Sequence, residues 1–560
     1  MWKILSRLTK GNEMMKHKLI SLLLALLMLL PGFSVAEDDG APVVILFTND
    51  VHCGVEDGVG YAGLAAYEAA YEHAGYEVLL ADCGDAVQGA PVGALSKGES
   101  IIEIMNGLGY DVATIGNHEF DYGMERFREL AGLADYPYIA CNFVSADGEC
   151  VLPASVILEA GGYRIGFVGV ATPETVSKTS PTYFQNEDGE FVYGFCGGGD
   201  GAELYAAVQS AVDELRADGA DAVIALAHLG IDGSSAPWTS SDVIRHTTGI
   251  DAVLDGHSHS VIPGETVLNA AGEPVLLAST GTKFANIGAL ILSPGGDGIA
   301  FSAKLHDETL FRDPEAEALV DGVLSRFEDA LNEVVAVAQV DLVIYDPMAV
   351  DETGAPIRIV RSQETNLGDL CADAYRYITG ADIAMMNGGG VRDEIPAGEV
   401  TFGQIIAVNP FGNSLMVVEI TGQELLDYLE LCVSLLPMEN GSFQHVSGMT
   451  FEVDATIPSP VVTDELGALV EIDGPRRVRN VTVGGEPLDP DRVYTLASND
   501  HTLEKSVDGQ TIFADNPVLQ REIMQDHQAL IEYVTEALGG VIGEAYADPY
   551  GDGRITILGE

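Results

Sequence analysis

Five apolar runs in this chain each stop on a residue of metal-ligand type, and no other feature restricts the fold as much. The runs are VVILFTNDVH (Val43 to His52), YEVLLADCGD (Tyr76 to Asp85), DVATIGNHEFD (Asp111 to Asp121), DAVIALAHLG (Asp221 to Gly230) and DAVLDGHSH (Asp251 to His259). A short β-branched run followed at once by Asp, Asn or His reads as a strand that delivers a donor at its end. In a layered α/β fold those ends open onto one crevice. Pooled, the runs supply Asp50, His52, Asp85, Asn117, His228, His257 and His259. Seven oxygen and imidazole donors on one edge are too many for a single tetrahedral site; they suit two metal ions that share a bridging carboxylate.

The pattern around these runs extends to a whole domain. Between residues 41 and 310 strand-like and helix-like segments alternate, with helices expected at Tyr61 to His73, Ile101 to Leu108, Met124 to Ala134 and Ala202 to Ala217. That order is the one of an α/β fold, here a four-layer αββα sandwich. Asp313 to Val335 has apolar residues at helical spacing and opens on Asp-Pro, so residues 311–335 read as a connecting helix. Residues 336–560 read as a second α/β unit with its own apolar supply, including a helix at Asn366 to Thr379 and strands at Leu415 to Ile420, Met449 to Val453 and Val493 to Leu496. A length of 560 residues also exceeds what one core covers.

Ahead of both units, Met15-Lys16-His17-Lys18 precedes the apolar stretch Leu19 to Leu30, then Pro31 and the small-residue site Ser34-Val35-Ala36. Basic, then apolar, then small is the order of a secretory signal, which assigns residues 1–36 to a signal peptide cleaved after Ala36. A membrane anchor is the competing reading, but the run falls short of the roughly 20 residues that a spanning helix needs. The mature chain is therefore expected to be secreted or otherwise extracytoplasmic, with no stable membrane span. Residues 1–36 carry five Lys/Arg and one Glu, so the formal charge of −59 becomes −63 without them. Such a surface repels nucleic-acid polymers and anionic lipid, which argues against a phosphate-backbone binding role. An anionic substrate must then be attracted locally, by metals and arginines. The seven cysteines match no CxxC zinc spacing. Cys141 and Cys150 are the pair able to close a small loop, against the reading of free thiols that serve as small apolar residues.

Hydrolysis of a phosphoester needs water made nucleophilic near neutral pH, charge neutralisation on the phosphoryl oxygens, and help for the departing oxygen. Two metals joined by a shared carboxylate meet the first two needs. Asp85 is the candidate bridge, because GDxxQG places its carboxylate in a Gly-flanked turn directly after a strand. In GNHEFDYG the amide oxygen of Asn117 can face a metal while His118 faces the leaving group. Asp121, three residues on, can orient and charge that imidazole.

The segments ILFTNDVHCG, DCGDAVQG, GNHEFDYG, AHLG and GHSH, in this order, resemble the metallophosphoesterase domain of the secreted 5′-nucleotidase family, which also includes UDP-sugar hydrolases and 2′,3′-cyclic phosphodiesterases. The resemblance implies two divalent ions, one held by Asp50, His52, Asp85 and His259 and the other by Asp85, Asn117, His228 and His257. It also implies that His118 and Asp121 are the catalytic pair. Mixed imidazole, carboxylate and amide donors suit Zn, Mn, Fe or Co without choosing among them. RSQETNLGDL (Arg361 to Leu370), MNGGGVR (Met386 to Arg392) and NPFGNSL (Asn409 to Leu415) are similar to that family's C-terminal substrate-binding domain. By resemblance, Arg361 and Arg392 contact the phosphate, Asn387 and the glycines after it line the pocket, Phe411 stacks on the base, and Asp508 belongs to the substrate-binding set. The implied partner is a small nucleotide and the implied activity is release of inorganic phosphate from nucleoside 5′-monophosphates. Cyclic phosphodiesterase or UDP-sugar hydrolase activity is the alternative on the same scaffold, and a non-catalytic nucleotide-binding protein is a more distant one.

One stretch departs from the family's pattern. Where the family has an aromatic after Asn-Asp and then Gly-Gly-Asp-Gly, this chain reads SNDHTLEKSVDG (Ser498 to Gly509), with His501 at the aromatic position and Ser506-Val507 in place of two glycines. The second half of the base sandwich is thereby left open, and with it the preference among mono-, cyclic and diphosphate substrates. Near the C-terminus ADPYGDGRITI (Ala547 to Ile557) hints at a calcium loop, but Tyr550 holds the third position and Gly559 the twelfth, so an EF-hand's charged oxygens are missing.

Overall fold

The computed structural model of the chain describes residues 41–179, 181–186, 189–295, 298–308, 311–351, 354–464, 467–504, 511–521 and 523–559. The expected signal segment, residues 1–36, and the expected substrate contact Asp508 lie outside the described residues.

Strand Val43–Thr48 lies at the middle of the first domain, and all six of its residues are buried. It pairs in parallel with Glu77–Asp82 and antiparallel with Ile287–Gly295. The full sheet runs Gly298–His306, Ile287–Gly295, Val43–Thr48, Glu77–Asp82, Val112–Thr114, Tyr138–Ile139. A second six-stranded sheet runs Val261–Leu268, Pro274–Thr280, Ala252–Leu254, Ala222–His228, Tyr163–Ala171, Ser155–Ala160. Side chains alternate across a strand, so Val43, Ile45 and Phe47 meet Phe167, Ile224 and Leu226 between the sheets. Val44 and Leu46 point the other way and pack with Leu64, Ile101 and Met105 of the helices Gly60–His73 and Glu99–Leu108. On the far side Val223 and Ala225 join Val208 and Val212 of the helix Ala202–Ala217. The layers are therefore helix, sheet, sheet, helix, which is the expected αββα sandwich. Phe47 lies directly over Gly288, where an added Cβ would come within 2.1 Å of its ring. Truncating Phe47 would open a cavity between the sheets at a cost of about 3–5 kcal/mol.

The second domain is built on a five-stranded sheet, Gln444–Ser447, Ile383–Asn387, Val493–Asn499, Leu415–Thr421, Val518–Gln520. The same alternation sends Ala384 and Met386 toward helix Asn366–Thr379, and Ile383 and Met385 toward helix Gly422–Cys432. Both helices start on a threonine: the Thr365 hydroxyl accepts from the Gly368 N–H, and Thr421 with Glu424 forms a reciprocal capping box.

The connection differs from the single helix expected over 311–335. Asp313 caps helix Pro314–Leu324 by accepting from the N–H groups of Glu315 and Ala316, but that helix ends at Leu324 and Glu328–Leu331 is a separate turn. Val334–Ala338 is already a strand, paired with Gly398–Thr401. Its sequence VVAVA is rich in β-branched residues, which favour a pleated edge over a helical turn. Helix Pro314–Leu324 belongs to the first domain, because Val320 and Val323 complete that domain's core. All seven cysteines are free thiols, so the Cys141–Cys150 loop closure is not formed; Cys150 is exposed and its Sγ lies 3.5 Å from the Cys141 carbonyl oxygen.

Candidate functional site

Three of the five ligand-bearing strands of the first domain, Val43–Thr48, Glu77–Asp82 and Ala252–Leu254, run on into the left-handed region, whereas Asn117 stays right-handed at φ −77° and His228 closes its own strand. Asp50, His52, Asp85, His257 and His259 have φ between 48° and 76°. Asp and His tolerate that region better than bulky or β-branched side chains, so the turn chemistry selects the same residue types as the metal chemistry. The turns are stitched together by backbone bonds from Asp50 N–H to Gly84 O and from His52 N–H to Asp85 O. Contact between them leaves no room for side chains at two positions. A Cβ on Gly84 would lie 2.4 Å from the Gly116 nitrogen, and one on Gly116 would lie 2.2 Å from Asp85 Oδ1. That is the physical reason for the glycines before Asp85 and Asn117.

The turns bring ligand atoms together in overlapping trios, Asp50 with His52 and His259, Asp50 with Asp85 and His228, and His52 with Asp85 and His118, each within 4.8 Å. His52 Nδ1 donates to the Gln88 carbonyl at 3.1 Å and His228 Nδ1 to the Cys83 carbonyl at 2.7 Å. Each ring is thereby locked with Nε2 turned to the cluster. His228 Nε2 lies 3.0 Å from Asp85 Oδ2 and 3.8 Å from Asp50 Oδ1. Burial, opposed by Asp85, drives His52 and His259 well below the ordinary imidazole range, so both are neutral. Their Nε2 atoms lie 3.1 Å apart, a separation that is met either by one ring donating its N–H to the other or by a cation facing both lone pairs. Burial raises Asp50 to about 6, while Asp85, against its burial, is held well below the carboxylate range by His228, His118 and His52. His228 is pushed up to about 10, against burial, by Asp85 and Asp50. The cluster thus concentrates carboxylate charge and imidazole lone pairs at one point, which fits divalent cations.

His257 and Asn117 stand beside these trios. The His257 N–H donates to both Asp50 oxygens at 3.1 Å, its ring centroid is 5.2 Å from that of His228, and its Nε2 faces Glu174 Oε2 at 3.0 Å. Asn117 is buried, and its Oδ1 has no hydrogen-bond partner among the described residues, which fits a cation ligand.

Several supporting residues were missed in reading the sequence. Glu119 accepts from the N–H groups of Asp85 at 2.9 Å, Ala86 at 2.9 Å and Gly116 at 2.6 Å, and so ties two of the ligand turns together. Asp255 accepts from Leu229 and Gly230 and fixes the turn after His228. Asn49 donates to Asp50 Oδ2 at 2.6 Å. All three are buried, polar and adjacent to a motif residue, and adjacency is the signal that would have found them.

His118 Nδ1 lies 2.6 Å from Asp121 Oδ2. Burial lowers the His118 value, but Asp121 and Asp85 outweigh it and the net direction is upward. Opposite this pair stands the second domain. The Phe411 ring centroid is 5.9 Å from that of His118, and the Arg392 guanidinium lies over Phe411 at 5.5 Å. Arg361, Asn387 and His501 line the same cavity, whose volume is about 560 Å³, together with Arg358, a residue the sequence reading passed over. Burial and Arg358 lower Arg392 to about 10, which leaves it cationic near neutral pH. Phe411 is half-buried and faces the cavity, on a loop held by bonds from Ser414 N–H to Asp500 and from Asp526 N–H to the Asn413 carbonyl.

A further acidic trio, Glu364, Asp369 and Asp552, lies in the second domain. Its Glu364 oxygens accept from Gly553, Arg554 and Ile555 N–H, Arg554 Nε donates to Asp552, and Asp369 Oδ2 accepts from Asp552 N–H, while the buried Asp369 Oδ1 has no hydrogen-bond partner among the described residues.

Residues 43–261 match the calcineurin-like phosphoesterase family, and residues 335–515 match the 5′-nucleotidase C-terminal domain. Endonuclease YhcR of Bacillus subtilis (strain 168) is 28% identical over 538 residues; the alignment covers 89% of this chain, which spans 40% of that protein's length. The 5′-nucleotidase of Vibrio cholerae serotype O1 is 26% identical over 533 residues, 88% of this chain and 90% of that protein. Among solved structures, the 5′-nucleotidase precursor from Thermus thermophilus superposes with a TM-score of 0.75 at 25% identity, over 93% of this chain and 100% of that one.

Proposed function

The chain belongs to the 5′-nucleotidase family, a calcineurin-like phosphoesterase domain followed by a 5′-nucleotidase C-terminal domain, and from that premise we propose that it is an exported, metal-dependent phosphohydrolase that releases inorganic phosphate from nucleoside 5′-monophosphates. The observation that carries the reading is the shared cavity with His118, Asp121 and Asp85 on one wall and Arg361, Arg392 and Phe411 on the other. A phosphate set between them reaches both kinds of group at once.

In this reading Asp50, His52, Asp85, Asn117, His228, His257 and His259 hold two divalent cations, which when bound supply acidified water and withdraw charge from the phosphoryl oxygens. Arg361 and Arg392 grip those oxygens through their planar forks, and so favour the more highly charged transition state. Phe411 stacks on the base and sets the nucleoside side of the phosphate toward His118. Asp121 holds His118 Nδ1–H, which leaves Nε2 to give its proton to the departing ribose oxygen. Export is supported by the basic, apolar and small-residue order of residues 15–36. Among the described residues no helix is long and apolar enough to cross a membrane.

A second reading, cyclic phosphodiesterase or UDP-sugar hydrolase activity, is favoured by His501, which lines the cavity at the position where the resemblance calls for an aromatic. Phosphate release from AMP, UMP, 2′,3′-cyclic AMP and a UDP-sugar, each with and without chelator, separates the two. Chelator-sensitive release from AMP and UMP is expected; silence on both with turnover of the cyclic or diphosphate substrate would replace the first reading by the second.

A further inference from the structure

The segment Thr172 to Thr179 belongs to none of the ligand-bearing motifs, yet it touches the site at two functionally different points. It carries the short helix Thr175–Lys178, with Glu174 at its N-cap and Thr179 at its C-cap. Neither cap uses its side chain for the helix. The helix is held by backbone bonds, Ser177 and Lys178 N–H to the Glu174 carbonyl and Thr179 N–H to the Thr175 carbonyl. Its base is fixed by the buried Thr172, whose carbonyl accepts from the Thr175 hydroxyl at 2.7 Å and whose hydroxyl accepts from Glu174 N–H at 3.2 Å. Both cap side chains thus reach the cavity from the two ends of one short helix.

Glu174 Oε2 lies 3.0 Å from His257 Nε2. A carboxylate accepts only, so this contact places the ring proton on Nε2 and leaves Nδ1 as the ring's ligand nitrogen. At the other end of the helix the Thr179 hydroxyl donates to Asp121 Oδ1 at 3.0 Å, while Asp121 Oδ2 holds His118 Nδ1 at 2.6 Å. With both oxygens engaged the Asp121 carboxylate cannot rotate about its last torsion. Tyr183 adds a longer contact, its hydroxyl 3.5 Å from the Asp121 carbonyl.

We propose that this segment is a positioning element with two separable outputs: Glu174 sets the tautomer and orientation of His257 for cation binding, and Thr179 sets Asp121, and through it His118, for proton transfer. Both residues line the cavity, and each acts in this proposal through the neighbour that it holds. The proposal rests on the dimetal phosphohydrolase reading, and its own consequence is that metal affinity and turnover respond to different ends of one four-residue helix.

The test uses the full mature chain and two readouts, the Mn²⁺ dissociation constants from equilibrium dialysis and kcat and KM for AMP. Glu174→Ala is expected to weaken binding of one of the two ions by about tenfold or more. Glu174→Gln, which keeps an acceptor for the ring N–H and loses only the charge, is expected to stay within roughly threefold of the parent. Thr179→Val is expected to lower kcat by about tenfold with Mn²⁺ affinity and KM unchanged, and Thr179→Ser to restore it. Parent-like Mn²⁺ affinity in Glu174→Ala would overturn the first output. Equal impairment of Thr179→Val and Thr179→Ser, or a Thr179→Val variant that loses Mn²⁺ affinity together with kcat, would overturn the second. A parent chain that binds Mn²⁺ but turns over no phosphoester would instead sink the phosphohydrolase reading, and the dialysis arm would still decide the role of Glu174.

Discussion

The two walls of the cavity solve different problems and are built differently. On the first domain the functional groups are carboxylates and imidazoles at strand ends, five of them on left-handed backbone, with rings locked by carbonyls of the neighbouring turns. On the second domain they are arginines, an amide and a phenyl ring, and Phe411 sits on a loop held from outside by Asp500 and Asp526. Groups proposed to share cations tolerate little displacement and are fixed from several directions. Groups proposed to recognise a phosphate and a ring need charge and a flat face, which a loop can present. Chemistry and selectivity should therefore be separable by mutation.

The largest break is expected at Asp85, which lies in two of the trios. Asp85→Asn should lower kcat/KM for AMP by about 10⁴-fold or more and weaken Mn²⁺ binding in the same variant, checked by phosphate release and dialysis. Next comes His118, the proposed proton donor. His118→Ala should lower kcat by about 10²–10⁴-fold with little change in KM or metal content. A comparable rise in KM would mean that the first wall also carries substrate affinity.

The smallest expected effect concerns a buried imidazole away from the metal cluster. In the second domain His445 donates from Nε2 to the Val360 carbonyl at 2.9 Å, next to Arg361, and burial lowers its value to about 4. The folded state therefore prefers the neutral ring, whereas the unfolded chain takes up a proton near the ordinary value of about 6.5. Stability from this group is complete above that value and is lost as pH falls toward 4. Urea unfolding of the metal-free chain at pH 7 and pH 4.5 should show about 2–3 kcal/mol less acid destabilisation in His445→Gln than in the parent. An identical pH response in both would place the acid sensitivity elsewhere.

The grouping of the first wall was legible because strand ends carry Asp, Asn and His in a row, with Gly84 and Gly116 required by close approach and His257 and His259 on left-handed backbone that His tolerates. The αββα layering was legible for a related reason, since strands buried on both faces read as unbroken apolar runs such as VVILFT. Arg361, Arg392 and Phe411 could be placed only by resemblance, because a Phe or an Arg on a loop carries no periodic signal. Arg358 was passed over because its strand, Pro356–Arg358, is only three residues long and too short to show a period. Glu174 and Thr179 were invisible, as their roles depend on a short helix that meets two distant motifs in space. The connecting helix was drawn too long because the apolar spacing of residues 313–335 suits a helix, while the β-branched Val334, Val335 and Val337 answer to a strand partner far along the chain, Gly398–Thr401.

The division of labour between the walls is tested most directly by the kinetics of Phe411→Ala on two substrates, AMP and p-nitrophenyl phosphate, which shares the phosphate but lacks the nucleoside. If the second wall carries selectivity, KM for AMP rises about tenfold or more while kcat/KM for p-nitrophenyl phosphate stays near that of the parent. Equal losses on both substrates would contradict the account, since Phe411 would then serve the chemistry and not the recognition of the base.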